Sequence, residues 1–191
     1  MDARKIQVKV FIQSPAELDI DPIVPVFHDW IRKNTLEELL IDVTDYGHVH
    51  QGPALLLVGH ASDYCIDFAE GRAGLFYSRK RQAPGDFAEC VTDAIRRAFF
   101  AAKKLEGESS LQDPIRFRGN ELLIRINDRL LAPNTKETVR EVEPVLREVL
   151  SKVYPDSSYT LEPVGTPRDL FGMRVLAPKA PSVTDLLARI A

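Results

Sequence analysis

The sequence predicts an α+β protein: a largely antiparallel mixed sheet of about eight strands, two long helices packed on it, and a short C-terminal helix. Three observations carry that expectation. Short apolar runs follow one another through connections too brief for parallel crossovers, which need a dozen or more residues. Two longer stretches, 87–105 and the one beginning at Asn134, space their apolar residues as helices do. A chain of 191 residues, 45% hydrophobic and 28% charged, has enough apolar material for one domain with its own core. The expected organisation is a single domain over 1–191. The alternative division is two lobes, 1–82 and 112–181, bridged by the helix at 86–105.

The first strand is "KIQVKVFIQ" (5–13), where Ile6, Val8 and Val10 alternate with Gln7 and Lys9. Asp21 and Pro22 then read as the N-cap and first position of a helix. Its apolar face is Ile23, Val26, Phe27, Trp30 and Ile31, with His28 beside the stripe and Asp29 next to it. Strands follow at Leu39–Val43, "ALLLVG" (54–59), "YCIDFA" (64–69) and "GLFYSR" (74–79). The last three are joined through "HASD" and a turn centred on Glu70-Gly71, as an antiparallel meander.

The second helix spans Phe87 to Leu105, with Val91, Ala94, Ile95, Ala98, Phe99 and Ala102 on one side, and "GESSLQD" (107–113) reads as an exposed linker. "IRFRG" and "ELLIRI" read as two strands. Asn134 and Glu137 have the spacing of a capping box for the third helix, which Pro144 should kink or divide. "SYTLEPV" and "GMRVLA" are two further strands around the loop "GTPRDLF", and Ser182 caps the terminal helix. "ELLIDV" (38–43) resembles "ELLIRI" (121–126), but the same shift sets His60 against Glu143 and Tyr64 against Arg147. The sequence therefore carries no internal repeat.

A net charge of −3 gives no bulk attraction for phosphate backbones. The one basic run, "SRKR" (78–81), reads as the solvated end of a strand, so nucleic acid is not an expected partner. No apolar run approaches the ~20 residues that span a bilayer, and "MDARKIQVKV" lacks the pattern of a secretory leader. A soluble cytoplasmic protein with no membrane partner is expected. Cys65 and Cys90 make no disulfide framework and should stay reduced, Cys90 as a buried helix thiol.

The densest chemistry lies in "DYGHVHQGPALLLVGHASDYCID" (45–67), which holds three of the four histidines. If 46–50 is extended, His48 and His50 point to one side and can chelate one metal, with His60 as the third ligand. A two-residue hairpin loop, Ala61-Ser62, would set His60 opposite Asp63 and Val58 opposite Cys65. His60, Cys65 and Asp67 would then share a face. The cofactor of that reading is a divalent transition metal. Its metal-free version pairs His60 with Asp63 as a general base, or with Cys65 as a nucleophile, with Tyr64 or Asp67 in support. Against both stand Gly47 and Gln51-Gly52-Pro53, which read as loop, and the apolar strand around Cys65. No Ser elbow, Walker loop, Gly-rich dinucleotide turn or Cys-x-x-Cys pair is present.

Two polar loops supply ligand-binding candidates. Asn127, Asp128 and Arg129 precede a helix start, and Arg168 lies beside Asp169, Leu170 and Phe171, the last two a hint of a partner surface but expected to pack against the C-terminal helix. Each loop also has a purely structural reading, with Asp128 making the turn and Asn134 the cap. The sequence ranks first a cytoplasmic ligand- or protein-binding domain without complete catalytic machinery, its partner an unspecified protein or small molecule. Homo-oligomerisation stays open. The alternative is a small histidine-based enzyme, metal-dependent or not, at 45–67.

Overall fold

A computed structural model describes residues 1–13, 18–48, 52–155 and 157–190. The strands are β1 (Ile6–Ile12), β2 (Leu40–Asp45), β3 (Pro53–Gly59), β4 (Ser62–Asp67), β5 (Gly74–Arg79), β6 (Phe117–Ile126), β7 (Thr160–Val164) and β8 (Phe171–Leu176). The helices are α1 (Ile23–Lys33) after β1, α2 (Phe87–Glu106) after β5, α3 (Lys136–Val153) after β6 and α4 (Val183–Ile190) after β8. The strands form one eight-stranded sheet in the order β2-β3-β4-β5-β1-β6-β8-β7. Every pairing is antiparallel, so the α+β expectation holds and the sheet is not mixed.

Strand alternation sorts the sheet into two faces. Ile6, Val8 and Val10 of β1, with Leu122 and Ile124 of β6 and Leu75 and Tyr77 of β5, lie under the helices in the main core. Trp30 of α1 is buried there, and its Nε1–H donates to Glu108 at 2.7 Å, tying α1 to the loop after α2. Asp86 and Glu89 form a capping box at the start of α2. No helix among the described residues covers the other face of the sheet.

The adjacent interior strands β1 and β6 each open a strand–helix unit. β1 is followed by α1, four strands and α2, and β6 by α3, two strands and α4. "ELLIDV" falls mostly on the edge strand β2 and "ELLIRI" on the central β6, so the two strings occupy non-equivalent places.

Local departures from the expectation have identifiable causes. "IRFRG" and "ELLIRI" are not two strands: β6 runs through Gly119-Asn120 with a register shift opposite Val10–Ile12. Asp21 does not cap α1, which starts at Ile23 with Pro22 as the preceding residue and no side-chain cap. Thr135 caps α3 by accepting from Thr138 N–H. Asn134 is diverted from that role, because its amide donates to the Val164 and Thr166 carbonyls at 2.9 and 3.0 Å. Pro144 does not divide α3. It sits on the exposed side, where the carbonyl it leaves unpaired meets solvent.

Candidate functional site

The helix-free face is where the charged chemistry gathers. Alternation turns Gln7, Lys9 and Phe11 of β1 to this side, with Cys65 and Asp67 of β4, Glu121, Leu123 and Arg125 of β6, and Gly172 and Arg174 of β8. Lys9 is only 2% exposed, Glu121 5% and Asp67 7%. Buried charges are costly unless paired and hydrogen-bonded, and each of these is. Lys9 forms an ion pair with Asp67 and donates to the Ala69 carbonyl at 3.2 Å. Arg72 grips Glu121 through two bonds of 2.6 Å and lies over the Phe11 ring, 4.1 Å from its centroid.

The β4–β5 connection folds a single 3-10 turn, Ala69–Gly71, over this face. From its tip Glu70 accepts from Arg125 at 2.7 Å on one oxygen and from Arg174 at 3.2 Å on the other. Arg174 Nε lies 3.8 Å from Glu121 and has no hydrogen-bond partner although buried. Gly172 lies between Val164 and Arg125, and a Cβ there would come within 2.8 Å of Val164 Cγ2 and 3.3 Å of Arg125 Cγ.

Electrostatics follow the packing. Burial lowers the Lys9 pKa below the ordinary lysine value, and the attraction of Asp67 does not restore it. Burial pushes the Glu121 carboxyl up, but the Arg72 hydrogen bonds and the charges of Arg72, Arg174 and Arg118 outweigh it and hold the group below its ordinary 4.5. A depressed carboxylate stabilises the fold fully above its unfolded pKa, and the contribution is lost as pH falls through the folded value. The melting temperature of Glu121→Gln should therefore fall less than that of wild type as pH drops below 4.5. Parallel melting curves across that range would remove Glu121 from the acid response.

The residues singled out from the sequence are placed elsewhere, or in other roles. His60 does not pair with Asp63. The register is Val58 with Asp63 and Leu56 with Cys65, which sets the bend at His60-Ala61 and leaves His60 exposed. The cause lies outside the ribbon, in Glu38, whose carboxylate accepts from Ala61 N–H and Ser62 N–H at 3.1 and 2.9 Å and so shapes the turn. Asp63 instead pairs with Lys80 at 2.7 Å. Cys65 is buried, and burial raises its thiol far above the ordinary range, leaving it protonated. Cys65 and Asp67 do share a face, without His60. Tyr64 lies under the helices against Tyr77.

His48 is exposed beyond the other end of the β2–β3 ribbon, with Tyr46 nearby. Asp45 pairs with Leu55 and Leu40 with Gly59, so His48 and His60 are separated by roughly 17 Å or more, at ~3.4 Å per strand residue. His50 lies outside the described residues. Among the described residues no three His, Cys, Asp or Glu side chains form a metal-ligating group. His28 is exposed on α1, and Asp29 pairs with Arg32 and Lys33.

The loop candidates are neighbours but do not converge on one pocket. Asp128 accepts from Leu130 N–H and Leu131 N–H at 3.1 and 3.0 Å and so builds its turn, while Asn127 and Arg129 are exposed. Arg168 is exposed in a turn where Asp169 accepts from Thr166 N–H and Oγ1–H. Asn134 and the Pro133–Leu170 bridge hold the two loops side by side. Phe171 is 1% exposed, a helix-face residue of β8 opposite Ile126. The neighbouring Leu130 and Leu131 are exposed.

Sequence reading missed Lys9, Glu70, Arg72, Glu121, Arg125 and Arg174. Their signal was present as lone charges inside apolar strands: Lys9 between Val8 and Val10, Arg125 between Ile124 and Ile126, Arg174 between Met173 and Val175. No protein-family model matches the chain, and a search of curated proteins finds no match. No helix among the described residues is long and apolar enough to cross a membrane.

Proposed function

We propose that this protein is a non-catalytic binding domain whose helix-free sheet face takes a ligand through an anionic group held by Arg125 and Arg174. One observation carries the reading: guanidinium groups from adjacent strands converge on a single carboxylate, that of Glu70. Planar guanidinium donors match carboxylate and phosphate oxygens, so the pair is a receptor for either. The groups an enzyme at 45–67 would need are otherwise engaged. Cys65 is held as a buried thiol and Asp63 is tied to Lys80.

Two free, buried cysteines suit a reducing compartment, which supports cytoplasmic residence. Lys9 and Arg72 on this face are matched by acids, and the net charge of −3 disfavours a nucleic-acid backbone as the anion. Titration calorimetry at low ionic strength with pyrophosphate and with citrate tests the proposal. Saturable binding is expected, abolished in the Arg125→Ala/Arg174→Ala variant and retained in Arg147→Ala, which alters an exposed pair on α3. Binding that survives in the double variant would sink it.

A further inference from the structure

We infer that Glu70 is an internal stand-in for the ligand, filling the Arg125–Arg174 site in the free protein and leaving it when a phosphate dianion binds. This rests on the binding reading above and names the chemical class of its ligand.

The backbone supplies the first argument. Glu70 has φ 63° and ψ 21°, and Gly71 follows with φ 66°. Two successive left-handed residues are the setting in which Asn-Gly or Gly-Gly is favoured, and glutamate is not among the residues that adopt it readily. A residue ill-suited to the turn but carrying a long carboxylate is kept there, and its side chain is what meets the arginines.

The turn is pinned at both feet and free at its tip. Ala69 N–H donates to Asp67 and the Ala69 carbonyl accepts from Lys9, both at 3.2 Å, while Arg72 is locked to Glu121. Glu70 itself is 43% exposed, and a Cβ on Gly71 would meet nothing within 4 Å. Rotation of one side chain therefore empties the site without moving the loop.

Charge decides the ligand. Asp67 offsets Lys9, but three guanidiniums, those of Arg72, Arg125 and Arg174, share two carboxylates, Glu121 and Glu70. A phosphate monoester carries about −1.5 to −2 near neutral pH and offsets both Arg125 and Arg174, where Glu70 offsets one. Its third oxygen can also take the buried, unpartnered Nε–H of Arg174. Two other acids lie near. Glu162 faces Arg174 from β7 and is exposed, and Asp169, close enough to feel the charge of Arg125, is already bonded to Thr166.

The test is phosphate titration of the full chain by calorimetry, comparing wild type with Glu70→Asn, and inorganic phosphate with acetate. Asparagine suits the left-handed backbone and is too short and uncharged to replace the carboxylate, so the turn stays folded. Phosphate is expected to bind Glu70→Asn at least tenfold more tightly than wild type, to outcompete acetate, and to lose its site when Arg174→Ala is added. Equal phosphate affinity in wild type and Glu70→Asn, still lost with Arg174→Ala, overturns the displacement and leaves the binding reading standing. No binding of phosphate, pyrophosphate or citrate by either protein overturns both.

Discussion

Asp67→Ala should lower the melting temperature by roughly 6–20 °C. Breaking one side of a buried ion pair costs about 3–5 kcal/mol, and in a chain of this length each kcal/mol moves the midpoint by about 2–4 °C. Lys9 would be left 2% exposed with only the Ala69 carbonyl to accept from it. Its cross-strand neighbours are Phe76 and Leu123, and Cys65 lies one strand further, so none of them replaces the lost carboxylate. Lys9→Met should cost less, because it removes the charge whose pKa burial already depresses and leaves Asp67 bonded to Ala69 N–H. Pairing Lys9→Met with Asp67→Leu should recover most of the loss, since a well-packed apolar pair can match a buried ionic one. Calorimetric melting of the three variants checks the order. An Asp67→Ala midpoint within 2 °C of wild type would mean that the pair is solvated.

That pair also marks the limit of what the sequence made legible. Strands with alternating apolar residues and the long periodic helix α2 could be read because their determinants are local: period, caps and turn residues a few positions apart. What could not be read depends on partners far along the chain. The β3–β4 turn is shaped by Glu38, 23 and 24 residues from the amides whose hydrogen bonds it accepts, so the hairpin alone cannot select among its registers, and the one an Ala61-Ser62 loop would set is not adopted. Asn134 carries every local mark of an N-cap and is recruited by the Val164 carbonyl, 30 residues on. Lys9, Arg125 and Arg174 look like the solvated side of half-buried strands. Only the sheet order, with β1, β6 and β8 side by side and the 69–71 turn folded over them, makes them one cluster. The histidines drew attention through residue type and proximity in sequence, whereas β3 carries His48 and His60 to its two ends.

A comparison of two glycines separates packing from backbone entropy. Gly119→Ala should lower the melting temperature by at least about 6 °C, while Gly107→Ala should leave it unchanged or slightly raised. Both changes add one methyl group. At Gly107, φ is −88° and the nearest atoms to an added Cβ are carbonyl oxygens at 3.5 Å, ordinary contact, so alanine mainly restricts the unfolded chain. At Gly119 the added carbon would overlap the backbone carbonyl of Pro181 and stand 3.2 Å from Leu186 Cδ1. Overpacking a tight site costs about 1–3 kcal/mol, and the upper end applies because backbone cannot rotate aside as a side chain can. At 2–4 °C per kcal/mol that end gives the stated drop. The strand side resists the strain, because Gly119's own carbonyl accepts from the buried Tyr154 hydroxyl at 3.0 Å. Relief must come from the start of α4, whose buried Val183 and Leu186 would lift from the core. Thermal melting of the two alanine variants decides it. If they melt within 2 °C of each other, the segment before α4 yields freely, and the close approach at Gly119 is not what seats that helix.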